Sequence, residues 1–351
     1  MSSIPAESTL STLSDDFFNF SNRIKYYKMV SKYISKHYVN DPNNCINVKD
    51  GIIKIGTNII LDNQIGNKSA WGLAFLSHYY FTNNSKELIF ATKIVDSSKQ
   101  NNLIEYNVLQ FLTSLNIQKQ VCPHFPMSYG ALKCNNTAYN LLVENIDLGQ
   151  LKDKKLLFIF SELANNNLNF LLKYYFHYKI LYNAIAQIML SIMFFNKYTE
   201  SLHADGHSGN FLYHIINPGG FFHYNINGVD YYIENLGYLW VIWDFGLIIP
   251  YSKLQQYNRI VDDIKKKSIN HDYIKTLSSI RKHNKNKKII RNIDEIIKNI
   301  RNYDFIYNLN KMPNLVNDVL KCLQKYTDNS LKTSIPHSSK IINKTQPYYF
   351  N

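Results

Sequence analysis

The stretch that decides the fold reads HADGHSGNFL (His203–Leu212), and it is followed downstream by WDFG (Trp243–Gly246). In the first segment, Asp205 precedes Asn210 by five positions. In the second, a hydrophobic strand ends in Asp-Phe-Gly, in which Asp244 is the acid. Carboxylate and amide oxygens are hard ligands of the kind that Mg²⁺ prefers. Groups in this order are suited to holding a magnesium nucleotide beside a hydroxyl acceptor.

Together the two segments resemble the catalytic core of the protein-kinase superfamily. The wider stretch from Pro218 to Gly246 looks more narrowly like the kinase-like proteins of large DNA viruses. The resemblance implies a two-lobed α+β fold, in which an antiparallel-sheet N-lobe carries one main helix and the C-lobe is mostly helical. It also implies that ATP and Mg²⁺ (or Mn²⁺ in its place) are bound. The location that it implies is the host cytoplasm or the virion.

The same resemblance implies roles for the matching residues. Asp205 would orient the acceptor hydroxyl, and Asn210 and Asp244 would hold the metal ion. His203 would serve as scaffold. Chance occurrence is the alternative for each short motif taken alone, but it does not account for all of them in this order.

Two positions of the loop depart from the usual protein-kinase form. Ala204 stands where most regulated kinases carry an arginine that binds a phosphate on the activation segment. This departure argues against switching by phosphorylation of that segment. His207 matches the loop of aminoglycoside and choline phosphotransferases, so the loop alone leaves the substrate class open.

Upstream, residues 88–95 (LIFATKIV) are predicted to form a buried strand that carries Lys93. By resemblance, this lysine pairs with the α- and β-phosphates of ATP. Residues 101–115 have helix-like apolar spacing, and Glu105 is the single acid among them. We therefore expect an ion pair between Lys93 and Glu105. The alternative is a solvated carboxylate on the helix surface.

Residues 65–75 (IGNKSAWGLAF) occupy the place of a glycine-rich phosphate loop. Gly66 and Gly72 are expected to supply turns, and Ser69 is small enough to let phosphates approach the backbone. A hairpin turn without a ligand is the alternative, because only the position in the chain favours the loop.

Residues 156–164 (LLFIFSELA) look like the strand that leads into a kinase hinge. By resemblance, Ser161 is the gatekeeper, and Glu162 to Ala164 present their backbone to the adenine.

The predicted organisation has four parts. Residues 1–16 are expected to be disordered, 17–160 to form the N-lobe with a helical N-terminal extension, 161–326 the C-lobe, and 327–351 a loosely held polar tail. Residues 218–230 form a hairpin-like insertion, a candidate for partner docking. The segment after Gly246 is short and lacks Ala-Pro-Glu, and Asp262 or Asp263 is a candidate to brace the loop at 203–210.

The net charge of +13 is unevenly distributed. Residues 1–250 hold 19 Lys+Arg against 18 Asp+Glu, whereas residues 251–351 hold 20 against 8. Such a basic region attracts acidic protein or nucleic acid without base specificity, or it is simply a solvated helical surface. We expect no transmembrane segment, no secretory signal and free thiols at all four cysteines, with a Cys122–Cys134 pair as the minor alternative.

The function expected from these observations is ATP-dependent phosphorylation of a protein serine or threonine. A pseudokinase that binds nucleotide and acts as a scaffold is one alternative, favoured by Ala204 and the sparse glycines. A small-molecule phosphotransferase is the other, favoured by His207.

Overall fold

The computed structural model describes residues 20–40, 46–56, 58–69, 72–80, 87–134, 151, 154–174, 177–262, 266–301, 312–334, 340–343 and 347–350. These residues form a mixed α+β fold, which confirms the predicted class at that level. The N-terminus predicted to be disordered, residues 1–16, lies outside the described residues.

The chain divides into two compact units. The first consists of Met1–Thr113 and Pro126–Leu163, and the second of Ser114–Phe125 and Ala164–Asn351.

The first unit is built on a seven-stranded antiparallel sheet with the order β1-β2-β3-β4-β5-β7-β6. Alternating apolar residues give most of these strands one buried face, as half-buried strands require. The strands are β1 (Ile46–Lys49), β2 (Ile52–Ile55), β3 (Ile59–Ser69), β4 (Gly72–Tyr80), β5 (Glu87–Asp96), β6 (Ser128–Lys133) and β7 (Leu156–Ser161).

Two helices are described beside this sheet. Helix α1 (Phe20–Asn40), which is the expected helical N-terminal extension, buries Val30 and Ile34 and packs beside β6. Helix α2 (Gln100–Lys119), predicted from residue 101, begins four residues after β5 and buries Leu109 and Leu112.

Six helices are described in the second unit. They are α3 (Leu168–Tyr174), α4 (Tyr178–Thr199), α5 (Tyr251–Ile260), α6 (His271–His283), α7 (Lys287–Arg301) and α8 (Met312–Gln324). Every residue of α4 from Leu181 to Asn196 is buried, so this helix is the core of the unit. By length and composition alone α4 could cross a membrane, but 83% of its most apolar window is buried inside the structure.

The strands of the second unit form small sheets. They are β8 (Asn166–Asn167), β9 (Ser201–Leu202), β10 (Phe211–Ile215), β11 (Phe221–Ile226), β12 (Val229–Glu234), β13 (Tyr238–Ile242), β14 (Ile249–Pro250), β15 (Leu331–Lys332) and β16 (Tyr348–Phe350). Strand β10 lies between β13 and β8. The predicted insertion is the β11–β12 hairpin, which turns at Asn227 and Gly228, both with positive φ, as in a type I′ turn.

The expectation of a loosely held tail at 327–351 is wrong for the described part of that segment. Strand β15 pairs with β12, and β16 runs parallel to β11, so both edges of the hairpin are covered by the C-terminal segment. Phe350 is buried against Phe194. Short apolar groups such as Tyr348–Phe350 give little periodic signal, because their partners are more than a hundred residues away.

The cysteine expectation is also wrong in part. Cys122 and Cys322 are buried free thiols, as predicted. Cys134 is disulfide-bonded. The alternative pair of Cys122 with Cys134 is excluded, because Cys122 is free.

Candidate functional site

The loop at 203–210 is fixed by a buried acid on α6. Asp272 accepts hydrogen bonds from the backbone N–H of His203 (2.7 Å) and of Ala204 (2.8 Å). Its side chain also accepts one from Asn196 Nδ2 of α4 (3.1 Å). These bonds hold Ala204 at φ 61°, a left-handed conformation that a non-glycine residue adopts only under constraint.

Asp272, instead of the candidate Asp262, therefore braces this loop. Asp262 is exposed, and Asp263 lies outside the described residues. Asp272 comes nine or ten residues later, at the second position of α6, where its carboxylate is completely buried. A buried carboxylate needs hydrogen-bond donors, and the two loop amides supply them.

Further polar residues of α6 contact the same loop. Lys275 Nζ lies 2.6 Å from Asp205 Oδ1 and 3.0 Å from the Ala204 carbonyl. Thr276 donates to the Gly206 carbonyl (2.9 Å), and Ser279 Oγ accepts from the Ser208 N–H (3.0 Å). With Asp272, these residues recur every three to four positions, so they share one face of the helix.

The loop packs so closely against this face of α6 that position 206 has room only for a glycine. A Cβ atom added to Gly206 would lie 2.8 Å from Thr276 Oγ1 and 3.2 Å from the Asp272 carbonyl oxygen. Any larger residue would push the loop away from α6, and Asp205 would move with it.

Asp205 and Asn210 are in direct contact. The Asn210 amide nitrogen donates to the Asp205 carbonyl (3.0 Å) and to Asp205 Oδ2 (3.3 Å). Because the nitrogen is engaged by Asp205, the amide oxygen is the atom that Asn210 has available for a cation.

Asp244 lies at the same end of the β10–β13 pair as Asn210. Phe211 pairs with Ile242, and the Trp243 N–H donates to the Asn210 carbonyl (2.9 Å), so Asp244 is one residue beyond that bond. Asp244 has φ 64° and is half-buried. Two oxygen-bearing side chains thus come from adjacent strand ends.

The two histidines of the loop are positioned differently. His203 is buried, donates from Nε2 to the Trp243 carbonyl (2.8 Å) and packs against Phe195 and Phe245. It has the scaffold surroundings that were expected. His207 Nδ1 accepts from the Gly209 N–H (3.0 Å), and its Nε2 is 3.6 Å from Asp205 Oδ2.

In the first unit, the predicted ion pair between Lys93 and Glu105 is present. Lys93 Nζ lies 2.7 Å and 2.8 Å from the two carboxylate oxygens. The Glu105 side chain is 2% exposed and that of Lys93 is 21% exposed. A partly accessible ammonium held by a buried acid is positioned to bind an anion.

The predicted hinge segment has a structural tie that the sequence did not indicate. Glu162 is buried, and both of its carboxylate oxygens bind Arg23 of α1 at 2.9 Å. Its backbone N–H donates to the Met127 carbonyl (2.9 Å). Ala164 is half-buried, and Ser161 is buried in β7.

The predicted phosphate loop is a β-hairpin. Ser69 pairs with Gly72 across the β3–β4 connection, and Gly66 lies within β3, at a register irregularity, instead of in the turn. A Cβ on Gly72 would lie 2.6 Å from the Ile94 carbonyl oxygen, so close approach to β5 is sufficient reason for that glycine.

The segment after Gly246 is short, as predicted. Ile249 pairs with Leu202 in the β9–β14 ladder, and α5 begins at Tyr251. The ladder returns the chain directly to the start of the loop at 203–210.

The chain matches no model of a known protein family, and no curated protein matches it. In the part of the chain that the structure describes, no cluster of three or more His, Cys, Asp or Glu residues has a metal-binding arrangement.

Proposed function

We propose that the protein is an ATP-dependent protein kinase of the serine/threonine type, and that its two units correspond to the lobes of a protein-kinase-like fold. One observation carries the proposal. The Asn210 amide nitrogen donates to Asp205, and Asp244 follows the strand that pairs with the one after Asn210. The two candidate metal ligands, Asn210 and Asp244, and the candidate base, Asp205, are therefore held by one loop and the strand beside it.

The residues present suit Mg²⁺. The Asp244 carboxylate and the Asn210 amide oxygen are hard ligands, and magnesium sites in proteins often take only one or two carboxylates, with phosphates and water completing the set. These two residues would hold the ion. Bound Mg²⁺ supplies neutralisation of phosphate charge. Mn²⁺ accepts the same oxygen donors.

Each remaining residue then has a definite task. Asp205 orients the acceptor hydroxyl and takes its proton, and Lys275 fixes one oxygen of that carboxylate. Lys93, held by Glu105, binds the phosphates nearest the nucleoside. In this proposal, the backbone of Glu162 and Ala164 would contact the base, and the hairpin containing Gly66, Ser69 and Gly72 would contact the phosphates.

A second candidate, phosphorylation of a small alcohol, is favoured by one observation. Helix α5 begins five residues after Gly246, so little chain is left to form a platform for a polypeptide acceptor. His207 in the loop is consistent with this candidate.

The test is transfer of γ-labelled phosphate from Mg-ATP to acidic and basic proteins and to small alcohols. Wild type should label protein, and Asp205→Ala should lower the rate about 10²–10⁴-fold. Asp244→Asn should remove the dependence on Mg²⁺ along with the activity. Asp262→Ala, at an exposed acid, is the control.

Equal labelling by wild type and Asp205→Ala would refute the proposal. Labelling of alcohols alone would establish the second candidate. A thermal shift with ATP but no transfer to any acceptor would indicate a nucleotide-binding scaffold.

A further inference from the structure

A cavity of about 560 Å³ opens in the second unit, on the side of the loop formed by Ser208 and Gly209. One wall is α3, through Asn169, Leu172 and Lys173. The other wall is the connection between α6 and α7, from His283 to Asn286.

Both walls touch the loop at 203–210. Ser208 Oγ donates to Asn169 Oδ1 and lies 3.5 Å from His283 Nδ1. Ser208 is three residues after Asp205, so their Cα atoms are at most about 11 Å apart. A polypeptide rises about 3.3 Å per residue when extended. A segment with its hydroxyl at Asp205 therefore reaches the cavity within about four residues.

The cavity has a cationic lining. Lys173 and Lys285 are both exposed, and none of the described lining residues is acidic. Helix α7 begins at Lys287 and has no acid in its first turn, so its N-terminal dipole also favours a negative group. Exposed Lys287 and Lys288 add to this charge.

Asn284 forms part of the cavity wall and is 9% exposed. Its side-chain nitrogen is fully buried, so it is not accessible to a ligand in the cavity. The exposed lysine side chains are therefore the groups that would bind a ligand there.

We infer that this cavity binds an acidic side chain of the polypeptide acceptor, two to four residues from the phosphorylated hydroxyl. The inference rests on the proposed kinase function for the identity of the acceptor. Such a cavity would make the enzyme selective for Asp- or Glu-containing segments. Part of the basic charge of the C-terminal region would then bind the acceptor.

The first experiment measures binding without turnover. A fluorescent Ser peptide flanked by Glu is compared by anisotropy with its Gln counterpart. Wild type and Asp205→Ala should both prefer the Glu peptide by about fivefold or more. The double variant Lys173→Glu/Lys285→Glu should lose the preference. Lys253→Glu/Lys321→Glu, an equal charge change at exposed positions, should keep it.

The second experiment compares kcat/KM for serine peptides in which one Asp is moved from five residues before to five after the serine. The increase in kcat/KM should occur only for Asp residues on one side of the serine, two to four residues from it. This increase should be absent in Lys173→Glu/Lys285→Glu. Lack of preference in wild type, or its survival in that variant, would overturn the inference. Displacement of the peptide by equimolar single-stranded RNA would also overturn the inference. Selective binding without any transfer would instead refute the proposed kinase function.

Discussion

Lys275 supplies the loop with a cation that comes from a helix seventy residues further along the chain. Its ammonium contacts Asp205 Oδ1, while Asn210 and His207 lie on the side of Oδ2. One oxygen of Asp205 is thereby fixed. The position of the carboxylate relative to a hydroxyl depends on this contact, because a displacement of about 1 Å can cost about 10²-fold in rate.

We predict that Lys275→Met lowers kcat by about 10- to 100-fold and leaves the KM for Mg-ATP within about twofold. Lys275→Arg should restore part of the rate, because it keeps the charge. Steady-state kinetics on both variants test this prediction. Lys282→Met, an exposed position on the same helix, is the control. An unchanged kcat in Lys275→Met would mean that the contact has no positioning role.

Asp272 acts through hydrogen bonds to two consecutive amides of the loop. Asp272→Asn keeps the volume but replaces one acceptor oxygen with a donor, so an N–H of His203 or Ala204 loses its partner. Leaving a buried donor unpaired costs about 1–3 kcal/mol. We predict a loss of that size in the free energy of unfolding, measured in urea. Asp262→Asn, at an exposed acid, should change the free energy of unfolding by less than about 0.5 kcal/mol. Equal effects would contradict the bracing role.

The sequence was sufficient to predict contacts between residues on consecutive, recognisable elements. Lys93 and Glu105 stand on a strand and the next helix, and their ion pair followed from that order. Asp272, Lys275 and Ser279 were missed because residues 251–351 were considered mainly as a basic region. The sequence did contain a signal for these residues. They recur at helical spacing on one face of α6, while Tyr273, Leu277 and Ile280 are buried.

At the scale of elements, α6 has one side in the core and one on the loop, and its first residue is sensitive to pH. Burial lowers the pKa of His271 to about 4, and nearby Lys267 and Lys275 act in the same direction against Asp272. Lys267 Nζ lies 3.2 Å from His271 Nε2, which fits a neutral ring accepting a hydrogen bond. Burial lowers the pKa of Lys267 as well.

The sign of the pH dependence follows from this shift. The unfolded chain protonates His271 near pH 6.5, and the folded protein near pH 4. The unfolded state therefore binds more protons between these values, and stability falls as pH drops through that window, by up to about 1.4 kcal/mol per pH unit. We predict that His271→Gln flattens the curve of unfolding free energy against pH between 6.5 and 4. Parallel curves for wild type and variant would contradict this assignment.

Elements with strong periodic or turn signals can be recognised in the sequence alone. The apolar run of α4 and the Asn-Gly turn of the β11–β12 hairpin are local features. Gly66 was placed in a turn and lies in a strand, because a glycine in a β-bulge and one in a turn look alike in sequence. The hairpin was predicted as a candidate for partner docking, and its two edges are paired with β15 and β16.

At the scale of the whole molecule, the C-terminal segment is part of the core of the second unit. Phe350 of β16 is 4% exposed, packs against Phe194 of α4 and lies beneath the Lys197 ammonium, 4.3 Å from the ring centre. Tyr349, the preceding residue on the same strand, is 44% exposed. The alternation means that one face of β16 meets the core and the other meets solvent.

These neighbours form a matched pair for the last prediction. Phe350→Ala removes a buried ring and should lower the free energy of unfolding by about 3 kcal/mol, whereas Tyr349→Ala should cost less than about 1 kcal/mol. Urea unfolding of the full chain measures both values. If β16 is an integral strand, Phe350→Ala also loosens the hairpin edge, so hydrogen exchange should speed up at the Asn227 N–H, which donates to the Phe350 carbonyl. Equal, small decreases in the free energy of unfolding for the two variants would mean that β16 does not pack in the core. The expectation of a loosely held segment would then be correct.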